Sequence, residues 1–133
     1  MNFKKKVTKN NYIRETVTVL NGLLDLTPRE MDILISMIKI DISWKPRSSV
    51  EVKDVLSTDN RRLIFKDTNI NKSNFTKMFN KFKSIGLLVL SSDGKYVMNE
   101  LLKPTFVKDV KTGKEFIEIK FILEMSDAIQ QTI

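Results

Sequence analysis

Apolar residues at Phe75, Met78, Phe79, Phe82 and Ile85 recur every three or four positions, the period of one face of an α-helix. Asn71 stands before them as an N-cap, and Ile70 and Phe75 are placed to staple the entry. Gly86 follows where a left-handed residue ends a helix. An earlier start signal is Leu26-Thr27-Pro28-Arg29-Glu30-Met31. Thr27 is the N-cap, Pro28 takes the first helical position, and Glu30 completes a capping box, with Leu26 and Met31 as the staple. That helix continues through Ile33, Leu34, Ile35, Met37, Ile38 and Ile40, apolar on more than one face, so it belongs in the centre of the core. Trp44-Lys45-Pro46-Arg47 ends it. Between the two, Thr58 to Lys66 reads as a shorter helix carrying Leu63, Ile64 and Phe65. Ser48 to Val55 fits either a strand or a loop.

Elsewhere the pattern is that of strands. Tyr12 to Leu20 contains the β-branched run Thr16-Val17-Thr18-Val19 and predicts a short strand broken by Asn21-Gly22. Leu87 to Leu90 and Lys95 to Met98 flank the turn Ser91-Ser92-Asp93-Gly94 and predict a hairpin. A second hairpin is predicted where Phe106 to Val110 leads into Lys111-Thr112-Gly113-Lys114. Beyond it Phe116, Ile117, Ile119, Phe121 and Leu123 interleave with Glu118 and Lys120. Residues 1–11 form a basic, polar arm, and residues 126–133 a tail or short terminal helix.

Composition narrows the chemistry. With 133 residues, 41% of them hydrophobic, the chain can bury a core of one domain, here placed at 12–125. It has neither cysteine nor histidine, which removes thiolate zinc sites, cysteine nucleophiles, the commonest general base and the commonest metal ligand. No spaced carboxylate pair and no GxxxxGK phosphate loop occurs. The expectation is therefore a protein that is not an enzyme and uses no cofactor or metal. The net charge of +7 points to an anionic partner. No secretory signal or membrane-spanning run is visible, so a cytoplasmic protein is expected.

The order is central helix, shorter helix, polar turn, amphipathic helix, glycine, hairpin. The segment from Ile64 to Val89, IFKDTNINKSNFTKMFNKFKSIGLLV, resembles the winged helix-turn-helix DNA-binding superfamily. The resemblance covers roughly residues 26–100. It implies an α+β fold, a winged helix-turn-helix with a helical core and one or two C-terminal β-hairpins. The helix-turn-helix would span about 58–86, the wing about 87–99, and the second hairpin about 104–124. Ile64 and Ile70 would be buried, Phe75, Phe79 and Phe82 would face inward, and Gly86-Leu87-Leu88 would step into the wing. Gly94-Lys95-Tyr96-Val97-Met98-Asn99 is also similar to the wing return strand of replication initiators of small plasmids and their phage relatives, although Glu100 stands where proline is usual there.

The residues themselves point the same way. With the phenylalanine stripe inward, the opposite helix face holds Ser73, Thr76, Lys77, Asn80 and Ser84, with Lys81 beside it. Hydroxyl, amide and ammonium groups are those that meet base edges and phosphates. No acidic residue occurs from Thr68 to Ser92, whereas an even spread of the 16 acidic residues over 133 positions would put about three there. The expected DNA contacts are Arg61, Arg62, Lys72, Ser73, Asn74, Thr76, Lys77, Asn80 and Lys81, with Lys95 on the wing. The reading is a sequence-specific binder of double-stranded DNA, acting as a homodimer. It would be a transcription regulator or replication initiator in a bacterial cell, of phage or plasmid type. The competing reading is a winged-helix adaptor between proteins in a phage or polymerase assembly.

Overall fold

The computed structural model describes residues 5–119 and Met125. The chain is α+β, with four helices and two small antiparallel hairpins among the described residues. It divides into a first unit ending at Lys103 and a second beginning at Pro104.

Within the first unit, α1 (Tyr12–Leu24) and α3 (Thr58–Thr68) both pack on α2 (Pro28–Ser43). The capping box at Thr27 forms as the residue types require: the hydroxyl accepts from the Glu30 amide, and the Glu30 carboxylate accepts from the Thr27 amide. Helix α2 is the centre of the core, with Ile33 to Ile38 buried without a break. Trp44 caps its C-terminus.

The strand expected at Tyr12 to Leu20 is a helix instead. Ile13, Thr16 and Val17 are buried, with Leu20 and Leu24 partly buried against the same core. That spacing is helical, and packing against α2 overrides the β preference of the Thr-Val-Thr-Val run. The two threonines return their hydroxyls to the carbonyls of Tyr12 and Arg14, one turn earlier. Asn21 does not break the element. Its side chain accepts from the Leu26 amide and donates to the Leu26 carbonyl, which clamps the turn into α2. Of the basic arm, residues 5–8 carry no regular structure and 9–11 form a turn leading into α1; residues 1–4 lie outside the described residues.

Ser48 to Val55 is a loop, but the amide of buried Val55 donates to the Tyr96 carbonyl. Ser57 caps α3, and Asn69, in the left-handed region, ends it. After buried Ile70, Asn71 caps α4 (Lys72–Ser84) by accepting from the Asn74 amide. Phe65 and Phe75 join α3 to α4 edge to face, with centroids 5.1 Å apart. Ile64, Phe75 and Phe82 are buried as expected. Two stripe residues are not: Phe79 is only partly buried, its ring against Tyr96, and Ile85 is exposed. Ile85 occupies the C-cap, where the chain turns away from the stripe. Gly86, at φ 84°, reverses the chain. The Leu87 amide reaches back to the Phe82 carbonyl and the Gly86 amide to that of Lys83, the paired bonds of a Schellman motif.

Strands β1 (Leu88–Leu90) and β2 (Tyr96–Met98) then pair antiparallel, with Leu88 opposite Met98. Asn99 locks the base of this hairpin: its amide group donates to the Gly86 carbonyl and accepts from the Leu101 amide. A single 3-10 turn, Glu100–Leu102, closes the unit with Leu102 buried. In the second unit, β3 (Thr105–Lys108) and β4 (Glu115–Glu118) form a hairpin with Phe106 opposite Ile117 and Val107 opposite Phe116. The Asp109 carboxylate accepts the Lys111 amide and organises its turn. The expected extension to Leu123 and the tail at 126–133 fall outside the described residues.

Candidate nucleic-acid interface

Helix α4 presents its polar face outward. Lys72, Ser73, Asn74, Thr76, Lys77 and Asn80 are exposed, and successive residues turn by about 100°, which puts Ser73, Lys77, Asn80 and Ser84 along one face. Thr76 uses its hydroxyl on the Lys72 carbonyl, 3.1 Å away. Asn74 spends its backbone amide on the cap and keeps its side chain exposed. The face therefore offers ammonium, amide and hydroxyl groups and no carboxylate.

Three expected cations are less free than the sequence suggests. Lys81 is half-buried and paired with Glu30 of α2 at 2.8 Å. Arg61 donates Nε to the Leu56 carbonyl and lies 6.0 Å from the centre of the Phe75 ring, so part of its guanidinium is structural. Arg62 faces Asp59 across 3.7 Å on an exposed surface, a pairing of little strength. Lys95 is exposed in the β1–β2 turn, where its amide donates to the Ser91 hydroxyl. Lys83 lies 5.7 Å from the centre of the Phe79 ring.

One contributor was not anticipated. A cleft of about 290 Å³ opens between the start of α2 and α4, and Arg29 lines it together with Glu30, Asn74, Lys77 and Lys81. Ile70 and Met78 supply its apolar wall. Arg29 lies far from α4 in sequence and belongs to a helix start, so no local pattern marks it. Burial would raise the Glu30 carboxyl, but Lys81 and the Thr27 amide outweigh it and hold Glu30 below the ordinary carboxylate range. Glu30 is thus ionised at neutral pH, and its charge is spent on the helix cap and Lys81.

Among the described residues no group of three acidic side chains is placed to hold a metal ion, and no helix is long and apolar enough to cross a membrane. No known protein family matches this chain, and no curated protein or solved structure matches it either.

Proposed function

We propose that this chain is a winged helix-turn-helix protein that binds double-stranded DNA in a sequence-specific way, with α4 in the major groove and the β1–β2 hairpin as the wing. The observation that carries the reading is the outward face of α4: six exposed polar or basic residues from Lys72 to Asn80, inside a stretch free of acids from Thr68 to Ser92. The order α2, α3, α4, hairpin is compatible with that fold, and buried Ile70 in the three-residue connection gives the helix pair a fixed turn. Residues early in such a helix reach deepest into the groove, which assigns base contacts to Ser73, Thr76, Lys77 and Asn80. Lys72, Arg62 and Lys95 serve phosphates. The protein works as a homodimer on paired half-sites and acts in transcription or replication control rather than catalysis.

The adaptor reading has one observation in its favour: Leu63, Ile85 and Leu90 are exposed apolar residues on α3, at the end of α4 and on β1. Selection of bound duplexes from a random DNA pool separates the two. A consensus with two-fold symmetry supports both the DNA reading and the dimer. Failure to retain any duplex at low salt removes the DNA reading and leaves the adaptor.

A further inference from the structure

We propose that the cleft between the start of α2 and α4 seats a backbone phosphate of the bound DNA. Arg29 is its outer ligand, and Glu30 limits its strength by occupying Lys81. This rests on the DNA-binding reading above and extends it to a second element. Three cationic side chains, Arg29, Lys77 and Lys81, line the cleft against one carboxylate. That carboxylate is already engaged: Glu30 Oε1 accepts the Thr27 amide at 2.9 Å and Lys81 Nζ at 2.8 Å. Arg29 and Lys77 are exposed and have no ion-pair partner among the described residues. A planar guanidinium matches two phosphate oxygens at once, and the Asn74 amide adds a neutral donor. Asn74 and Lys77 belong both to this cleft and to the exposed α4 face, so a DNA strand following that face passes the cleft mouth.

Glu30 gives the site a built-in limit. While it holds Lys81, only two of the three cations are available. Glutamine at this position keeps the oxygen that the Thr27 amide needs, because a capping box accepts Glu or Gln, but it loses the charge that holds Lys81.

The test is a fluorescence anisotropy titration of the whole chain with a random-sequence DNA duplex across a salt series. Arg29→Ala should weaken binding severalfold at low salt and flatten the log–log salt slope by about 0.9, one phosphate contact. Glu30→Gln should tighten binding and steepen the slope. Lys45→Ala removes the same charge as Arg29→Ala just beyond the other end of α2, whose run from Arg29 to Ser43 is about 21 Å long, and should change little. Circular dichroism melts confirm that each variant is folded. If Arg29→Ala and Glu30→Gln bind like wild type while Lys72→Ala weakens binding, the cleft proposal falls and the α4 reading stands. The cleft proposal also falls if Lys45→Ala weakens binding as much as Arg29→Ala. If wild type binds no duplex, both readings fall together.

Discussion

Asp41 carries a full charge into the core of the first unit. Its side chain is fully buried, Lys53 and Lys103 approach it at 3.0 and 2.7 Å, and the Met98 amide donates to its second oxygen at 2.9 Å. Burial alone would raise the carboxyl, but Lys103, the Met98 amide and Lys53 outweigh it and hold Asp41 below the ordinary carboxylate range. Burial likewise opposes the Lys103 ammonium, and Asp41 and Glu100 overcome it and raise Lys103 above the ordinary lysine value. One carboxylate thereby ties α2 to β2, to the loop before α3 and to the last residue of the unit. Asp41→Ala leaves Lys103 without its buried counter-ion and the Met98 amide without an acceptor, and should cost about 3–5 kcal/mol. The pH dependence follows from the two directions. The Asp41 contribution is complete above the ordinary carboxylate range and is lost as pH falls through its lowered pKa. The Lys103 contribution is complete below the ordinary lysine value and is lost as pH rises through its raised pKa. With no histidine in the chain, stability should be flat between these limits. Thermal melts across pH check this; an Asp41→Asn variant with the same acid limb as wild type would contradict it. The phenylalanines make a second contrast. Phe82→Ala empties a fully buried site and should cost about 3–5 kcal/mol. Phe79→Ala should cost clearly less, since that ring is only half enclosed against Tyr96. Denaturant titrations of the pair give the difference directly.

At the scale of elements, the helices with strong caps are legible in the sequence. Thr27 with Glu30, and Asn71 with the Phe75–Phe82 spacing, determine α2 and α4 because cap chemistry and period are local properties. Helix α1 was not legible. Its Asn11 N-cap makes no side-chain bond to the helix, and its β-branched run favours a strand until α2 supplies a surface for Ile13 and Val17. The polar face of α4 was readable, but Arg29 joined the same surface only when α2 was laid beside α4. On α4 the expected outcome of base reading is specific. Asn80→Ala or Lys77→Ala should flatten the selected consensus at one or two base pairs, a loss of about 1–3 kcal/mol of discrimination each. Lys95→Ala, on the hairpin turn, should lower affinity without altering the consensus. Comparing the sequences selected by each variant with those of wild type checks the assignment. A changed consensus for Lys95→Ala and an unchanged one for the helix variants would transfer base reading to the hairpin.

For the whole molecule, charge and core make separate predictions. Each phosphate contact formed by the basic residues between Arg61 and Lys95 should contribute about −0.9 to the slope of log K against log salt. Binding should therefore weaken steeply as salt rises, and a flat titration would favour the protein-adaptor reading. The buried apolar residues identified in the core run from Ile13 to Leu102, all within the first unit. A chain ending at Lys103 should accordingly keep a cooperative melt, because it retains that core and the Asp41 network. A two-stranded hairpin such as β3–β4 is marginal alone, so a peptide of residues 104–119 should show no such transition. Circular dichroism of both fragments tests this.

By itself the sequence determined what depends on near neighbours: the caps and period of α2 and α4, the turns at Gly86, Gly94 and Gly113, and an acid-free basic segment. These follow from backbone geometry and side-chain chemistry within a few residues. Tertiary structure decided what depends on distant partners. Whether Tyr12 to Leu20 coils or extends is set by the apolar face of α2. Lys81 is restrained because Glu30 lies within reach, and Arg61 because the Leu56 carbonyl and the Phe75 ring do. Asp41 can be buried because two lysines and a strand amide converge on it. Each involves a packing surface, charge or hydrogen bond whose energy depends on a distance in space that spacing along the chain does not specify.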